Sequence, residues 1–212
     1  MARPTKYEPE RGGARARLLE AARDTIRAKG FSATSIEDLC LAAGVTKGAF
    51  FHHFATKEAL GVAAAGYWAE TTSAFFAAAP YHEPADPLER ILAYVAFRRS
   101  IVAGEPAEFS CLVGTMAEEV HATWPTIRDA CAASIFGHAA TLEADIAAAM
   151  RQHGISDGPS PASLARHTQT VIQGAFVLAK AGNDPDLARE SLDHLDRYIR
   201  LLFGKKDMEA MQ

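Results

Sequence analysis

The sequence predicts an all-α fold, and three observations support that prediction. Apolar residues recur at three- and four-residue spacings along most of the 212 residues, as they do on one face of a helix. No stretch alternates apolar and polar residues as a half-buried strand would. Three times a helix-capping residue stands before a proline at the first helical position, at Asp86-Pro87, Ser160-Pro161 and Asp184-Pro185. We therefore expect an N-terminal three-helix unit followed by a larger C-terminal helical domain.

The first helix is predicted over residues 14–29. Leu19, Ala22 and Ile26 fall on one face of it, and Gly30 follows where the periodic pattern stops. Residues 1–13 before it contain several prolines and glycines, so we expect a flexible arm there. This first helix would brace the two helices that come next.

The following segment predicts a helix, a tight turn and a second, short helix. Thr34 and Glu37 have the spacing of a capping box, which places the start of a helix directly after Thr34. Gly44 comes where the apolar periodicity stops and is typical of a helix end. Thr46 then caps a helix over residues 47–51. Two helices joined by a short turn that contains glycine form the helix-turn-helix pattern.

The content of the second helix favours nucleic-acid binding over a purely structural hairpin. In a DNA-binding helix-turn-helix, this helix enters the major groove. Here it carries Lys47, Gly48 and Ala49, cationic or small residues that allow close approach to a duplex. Many helical hairpins nevertheless bind nothing, so the pattern alone leaves both interpretations open.

The run from Gly44 to Leu60, G-V-T-K-G-A-F-F-H-H-F-A-T-K-E-A-L, resembles the DNA-binding segment of TetR-type transcriptional regulators. The match extends back through Leu18, Leu19, Ala22 and the Gly30-Phe31 pair. Phe51 stands where many family members have tyrosine. The resemblance implies contacts to a double-stranded operator by a set of residues, namely Ser35, Thr46, Lys47, Gly48, Ala49, Phe51, His52, His53 and Lys57.

The distribution of charge agrees with a two-part DNA-binding protein. Residues 1–60 hold ten Lys or Arg against seven Asp or Glu, whereas residues 61–212 hold 12 against 19. A phosphate backbone attracts the basic part. A solvated charge pattern without functional meaning fits the same numbers.

The rest of the chain continues as helices. A long helix from residue 57 to Pro80 would pass from the DNA-binding domain, residues 14–60, into a ligand-binding and dimerisation domain, residues 61–204. A frayed tail is expected over residues 205–212. Further helices are predicted over residues 87–102, 110–121, 125–152, 161–180 and 185–203.

The last helix carries an apolar seam of Leu192, Leu195, Ile199 and Leu202, which fits either ordinary core or packing against another helix. A two-fold dimer reads two half-sites about 34–36 Å apart. The family resemblance implies a homodimer formed through the last two helices, and hence an inverted-repeat operator.

The middle helices are where a signal would be received. Their aromatic side chains are individually more typical of core, but together with a few polar groups they could line an apolar cavity for a small-molecule inducer. The candidates are Tyr67, Tyr94, Arg98, Met116, Gln173 and Phe176.

Cys111 is a second candidate for receiving a signal. It stands at the start of a predicted helix, where the helix dipole favours a thiolate. The segment E-F-S-C-L-V-G-T-M-A-E-E-V, with Lys180 downstream, resembles a TetR-type branch in which a cysteine senses electrophiles or oxidants. Ser110 replaces the glycine usual in that branch. A free cysteine is also commonly a small buried apolar residue.

Other classes of protein are disfavoured. The three cysteines have no metal-like spacing, no two histidines are four residues apart, and neither a Gly-rich phosphate loop nor an H-E-x-x-H motif occurs in the sequence, so we expect no metal, no cofactor and no enzyme. There is no long apolar run and no signal-like start, which predicts a cytoplasmic protein without membrane contact. We therefore expect a dimeric repressor released by an inducer or by modification of Cys111. The alternative is a helical small-molecule or thiol-chemistry protein that binds no DNA.

Overall fold

The computed structural model describes residues 13–205, and every regular element in that range is a helix. This confirms the all-α prediction. The expected arm, residues 1–13, and the expected tail, residues 205–212, lie outside the described residues except for residues 13 and 205 themselves. A 3-10 helix, Pro80–His82, stands between α4 and α5. The α-helices are α1 Ala14–Lys29, α2 Ile36–Ala43, α3 Lys47–His53, α4 Lys57–Ala77, α5 Pro87–Ser100, α6 Pro106–Phe109, α7 Leu112–Val120, α8 Pro125–Ala140, α9 Glu143–Gln152, α10 Pro161–Gly182 and α11 Pro185–Leu202.

The capping box of α2 lies one residue later than the sequence predicts. The Ser35 hydroxyl accepts from the Asp38 amide at 3.0 Å, and the Asp38 carboxylate accepts from the Ser35 amide at 2.9 Å. Thr34 does not cap the helix, because its buried hydroxyl donates to the Gly30 carbonyl at 2.7 Å. The prediction of Thr34 and Glu37 as the capping pair was therefore wrong.

The turn and α3 follow the prediction closely. Gly44 adopts the left-handed conformation with φ of 61°, which a side chain at this position would strain. Thr46 caps α3 by accepting from the Ala49 amide at 3.1 Å. The helix continues to His53, two residues beyond the predicted end.

Two features of the second half of the chain differ from the prediction. The four-residue helix α6 was not predicted. The single helix expected over residues 125–152 is divided into α8 and α9, because the Thr141 and Leu142 amides bond to carbonyls three residues back rather than four. The Thr141 hydroxyl also donates to the His138 carbonyl, at 2.7 Å.

Buried side chains form two hydrophobic cores. The N-terminal core comprises the buried apolar residues between 18 and 65 together with those of α7 and, from α8, Ile127 and Cys131. The C-terminal core comprises the buried apolar residues between 76 and 102 and between 142 and 203. Helices α7 and α8 therefore complete the packing of the helix-turn-helix unit.

The seam predicted on α11 faces the interior of its own chain. Leu192, Leu195 and Ile199 are buried in the C-terminal core. The apolar side chains exposed on the last two helices are different ones, namely Val177, Leu178, Tyr198 and Leu201. Within residues 13–205, no helix is both long and apolar enough to cross a membrane.

Candidate nucleic-acid interface and ligand cavity

The residues proposed to meet DNA gather around the exposed side of α3. Ser35, Thr46, Lys47, Gly48, Phe51, His52 and His53 are exposed, while Ala49 and Lys57 are half-buried. Phe50 is fully buried in the N-terminal core and fixes the helix to the body. The opposite side of α3 is thus free to enter a groove. Phe51, the replacement for the family's tyrosine, leaves 51% of its surface exposed.

Lys47 has a partner that a duplex would have to replace. Its ammonium forms an exposed ion pair with the Glu37 carboxylate on α2. The pair raises the pKa of Lys47 and lowers that of Glu37, chiefly through the hydrogen bond between them. A phosphate could take the place of this carboxylate as the counter-charge.

Lys57 is partly committed to holding the fold. Its ammonium donates to the Ser32 carbonyl at 3.2 Å and lies 4.5 Å from the centre of the Phe31 ring. Burial lowers the pKa of Lys57. This lysine therefore fastens the loop between α1 and α2.

A cavity of about 230 Å³ lies where the two cores meet. Its walls come from α1, α4, α5, α6, α7, α8 and α10, and its aromatic residues are Trp68, Phe75, Phe76, Phe109 and Phe176. Among the sequence-predicted candidates, Arg98, Cys111, Gln173 and Phe176 line this cavity.

The remaining candidates lie elsewhere. Tyr94 is fully buried behind the cavity wall. Met116 is buried in the N-terminal core, and Tyr67 packs against the same core. Lys180 lines a smaller neighbouring cleft that it shares with Cys111.

Tyr94 connects two polar residues of the cavity wall, His138 and Gln169. The Gln169 amide nitrogen donates to the Tyr94 hydroxyl at 2.9 Å, and that hydroxyl lies 2.9 Å from His138 Nε2. The buried hydroxyl proton needs an acceptor, so His138 Nε2 accepts it and the neutral ring carries its proton on Nδ1. Burial, assisted by Arg98, lowers the pKa of His138 to about 4. The sequence analysis missed His138 and Gln169, because a polar residue in a helical run does not reveal its partner.

Arg98 is buried at the cavity wall with only 9% of its surface exposed. Its guanidinium lies 5.0 Å from the centre of the Phe76 ring and 5.6 Å from that of Phe176. Its Nε has no hydrogen-bond partner among the described residues.

Cys111 is the N-cap of α7 and half-buried. Its Sγ accepts from the Gly114 amide at 3.4 Å. The Lys180 ammonium donates to the Thr115 hydroxyl at 2.9 Å, and burial lowers the pKa of this lysine. The buried Ser110 hydroxyl has no hydrogen-bond partner in the described part of the chain. Cys111 and Lys180 thus share one cleft of about 20 Å³.

The other two cysteines, Cys40 and Cys131, are buried. Burial raises the pKa of both thiols, that of Cys131 to about 12. Among residues 13–205, no group of His, Cys, Asp or Glu side chains could hold a metal ion.

Two contacts join the cavity region to the helix-turn-helix unit. The Glu119 carboxylate, near the end of α7, accepts the amides of Phe31 and Ser32 at 2.5 and 2.9 Å. Arg27, near the end of α1, donates to the Glu108 carbonyl at 2.7 Å and itself lines the cavity. Helix α7 therefore has Cys111 at its start, and near its end Glu119 is hydrogen-bonded to the loop between α1 and α2.

Two family models match the chain. Residues 18–64 match the model described as bacterial regulatory proteins, tetR family. Residues 87–195 match the model described as tetracyclin repressor-like, C-terminal domain. Among functionally curated proteins, none matched.

Solved structures share the architecture. A TetR transcriptional regulator from Chloroflexus aurantiacus J-10-FL is 26% identical with a TM-score of 0.74, over 88% of this chain and 93% of that one. Regulatory protein TetR from Rhodobacter sphaeroides is 23% identical with a TM-score of 0.77, over 87% and 98%. The reduced form of E. coli NemR is 24% identical with a TM-score of 0.71, over 87% and 96%.

Proposed function

The chain belongs to the tetR family of bacterial regulatory proteins, and from that membership we propose that it is a dimeric repressor of transcription. Membership makes it a transcriptional regulator rather than an enzyme. In the proposal, α3 of each protomer reads one half of an inverted-repeat operator. Occupation of the cavity by a small molecule, or modification of Cys111, releases the DNA.

The observation that carries the proposal is the presentation of α3. Buried Phe50 holds the helix, while Thr46, Lys47 and Gly48 remain exposed. A lysine at a helix N-terminus suits phosphate, and the small residues permit close approach to base edges. Lys47 can exchange the Glu37 carboxylate for a phosphate at little cost, because the ion pair is exposed.

The dimer is supported by an apolar surface on the last two helices. Leu201 leaves 78% of its surface exposed, and Val177, Leu178 and Tyr198 are exposed on the same pair of helices. Exposed apolar side chains grouped in this way favour a protein interface. A second copy of the chain would bury them in a four-helix contact of α10 and α11.

The signal would act by shifting a population between DNA-binding and non-binding states. A cavity between the two cores can favour one relative placement of those cores over another. A ligand that prefers the non-binding state by some tens of fold supplies about 2 kcal/mol of coupling. Helix α7, with Glu119 at its far end, offers a direct physical connection.

Modification of Cys111 is the second proposed route. The half-buried Sγ accepts the Gly114 amide proton at 3.4 Å and lies at the wall of the cavity. Conjugate addition of the Cys111 thiolate to an electrophilic alkene forms a carbon–sulfur bond, breaks the carbon–carbon π bond and leaves a carbanion that takes a proton from water, and the adduct adds bulk. Cys111 lines both the cavity and the cleft of about 20 Å³ beside Lys180, so the adduct would either occupy the cavity or separate α7 from α10.

The proposed function is tested by binding of the purified protein to labelled duplex from upstream of its own gene, at two salt concentrations. We expect saturable, sequence-selective binding that weakens as salt rises. Lys47→Ala should lose about tenfold or more in affinity. The matched control is Lys205→Ala, which removes a lysine paired with Glu89 in the C-terminal body and should bind as the unaltered protein does.

The same assay with peroxide or an electrophile tests Cys111. Release that disappears in Cys111→Ser supports the thiol route, whereas selective binding that is indifferent to the oxidant or electrophile leaves a reversible ligand in the cavity as the signal. Absence of selective binding to the upstream region and to a random duplex library would overturn the repressor and favour a helical binding protein that does not act on DNA.

A further inference from the structure

Arg98 is a buried cation without a counter-charge. Among the described residues it forms no ion pair, and its Nε donates to nothing. Its neighbour Arg99 behaves ordinarily, pairing with Asp193 at 2.6 Å on the surface. A buried charge is costly unless it is paired and hydrogen-bonded. The arrangement around Arg98 therefore lacks one partner.

The immediate neighbours of Arg98 cannot supply that partner. The faces of Phe76 and Phe176 attract the guanidinium, but neither ring accepts its in-plane N–H groups. Arg98 also lies in the last turn of α5, where the helix dipole favours a cation. The helix dipole does not provide a hydrogen-bond acceptor for the Arg98 Nε–H group. A purely structural role for Arg98 therefore does not explain why this donor has no partner.

The one carboxylate on the cavity wall is already occupied elsewhere. Glu108 closes the capping box of α6, accepting the Glu105 amide at 2.8 Å. The second cation on the wall, Arg27, is also engaged, by the Glu108 carbonyl and the Asp24 carboxylate. One positive charge of the lining is thus left for a ligand.

The rest of the lining is neutral and combines apolar residues with the polar side chains of Thr72, Ser134, His138 and Gln169. Trp68, Phe75 and Phe109 complete the apolar wall. Gln173 makes no side-chain hydrogen bond within the described residues and can supply one to a ligand. At about 230 Å³, the space is below the roughly 300 Å³ at the lower end of common ligand pockets. The occupant has to be small.

We infer that this cavity binds a small organic monocarboxylate with an aromatic body, whose carboxylate pairs with the Arg98 guanidinium. The planar guanidinium fork matches two carboxylate oxygens, and the aromatic body lies among the phenylalanine rings. The binding of this ligand is independent of the proposed function, but its role as the inducer rests on that function. Because Arg98 is the one cation without a partner among the described residues of the lining, the site selects a monoanion over a doubly charged phosphate.

The test is isothermal titration calorimetry of the full-length protein, without DNA, using benzoate and phenylacetate and their neutral analogues benzamide and phenylacetamide. We expect each acid to bind about tenfold or more tightly than its amide, since a hydrogen-bonded charge pair replaces a neutral contact. This comparison needs no variant, so it does not depend on how Arg98 substitutions fold.

Variants then assign the preference to Arg98. Arg98→Gln should remove the difference between acid and amide, and Arg98→Lys should keep part of it, because the charge remains without the fork. The matched control is Arg99→Gln, one residue along and on the surface, which should preserve the full difference.

The inference is overturned if acids and amides bind equally, if no acid binds at millimolar concentration, or if a correctly folded Arg98→Gln protein keeps the preference. These measurements contain no duplex. If the protein binds DNA selectively but shows no preference for the acids, only this inference is overturned. If it prefers the acids but does not bind DNA, only the proposal that it is a repressor is overturned.

Discussion

The two hydrophobic cores of this molecule differ in the polar groups buried beside them. The N-terminal core is almost wholly apolar, and the buried Thr34 beside it donates to the Gly30 carbonyl. Around the C-terminal core, Gln169 and Tyr94 form a buried polar network, and Arg98 retains an unpartnered donor beside a cavity.

This difference separates two tasks. The helix-turn-helix unit has to hold α3 in one position, and a densely packed apolar core does that. A site that responds to a ligand needs groups whose bonding is incomplete until the ligand arrives. Arg17 Nε in α1 is also buried without a partner, but Arg17 does not line the cavity. The proposed division of labour therefore rests on Arg98, whose unpaired donor belongs to a residue of the cavity wall.

The largest expected effect comes from truncating the shared part of the N-terminal core. Ile127→Ala removes a fully buried side chain on α8 and should lower the free energy of unfolding by about 2–5 kcal/mol. Because Ile127 packs with α1–α4, amide hydrogen exchange should rise in the helix-turn-helix unit, although the substitution lies far along the sequence.

The control for Ile127 is Ile146→Ala, an equally buried isoleucine of the C-terminal core. Its exchange should rise in α9–α11 instead. Identical exchange patterns from the two variants would show that the cores do not respond separately and would contradict the comparison.

A smaller effect concerns pH and the C-terminal core. Burial holds the folded-state pKa of His138 near 4, below its ordinary 6.5, so the unfolded chain takes up the proton first as pH falls. Stability should decline between about pH 6.5 and 4, by up to about 3 kcal/mol from this group, and this contribution should be constant below that window.

Denaturant unfolding across that pH range checks the effect of His138. His138→Asn should flatten the slope, while His194→Asn, which alters an exposed histidine, should leave it unchanged. An unaltered slope in His138→Asn would assign the pH dependence to other groups.

The smallest effect concerns the contact between the two regions. Glu119→Gln weakens the acceptor for the Phe31 and Ser32 amides and should cost about 1–2 kcal/mol. Amide exchange at those two positions should increase. The control is Glu190→Gln, which removes an exposed charge elsewhere. Equal exchange at Phe31 and Ser32 in both variants would show that Glu119 does not hold the α1–α2 loop to α7.

Local signals in the sequence predicted much of the fold. The proline-capped starts of α5, α10 and α11 were confirmed, because cap and proline act within one turn. The break between α8 and α9 was missed, since Thr141 is compatible with a continuing helix until tertiary packing selects the tighter turn.

The candidate site was less accessible to sequence reasoning. Arg98 and Gln173 were selected and do line the cavity, yet Tyr67 and Met116 belong to the other core. Aromatic and sulfur-containing side chains pack equally well in either place. Sequence spacing gives the face of a helix that is buried, but not which helix covers it.

Arg27 lies in α1, the first helix of the helix-turn-helix unit, and also forms part of the cavity wall. Linkage between two binding sites is reciprocal. If a ligand weakens operator binding by some factor, bound operator weakens ligand binding by that same factor. The concentration of inducer needed to clear an operator would then depend on how much operator is present, and would exceed the dissociation constant measured on the free protein.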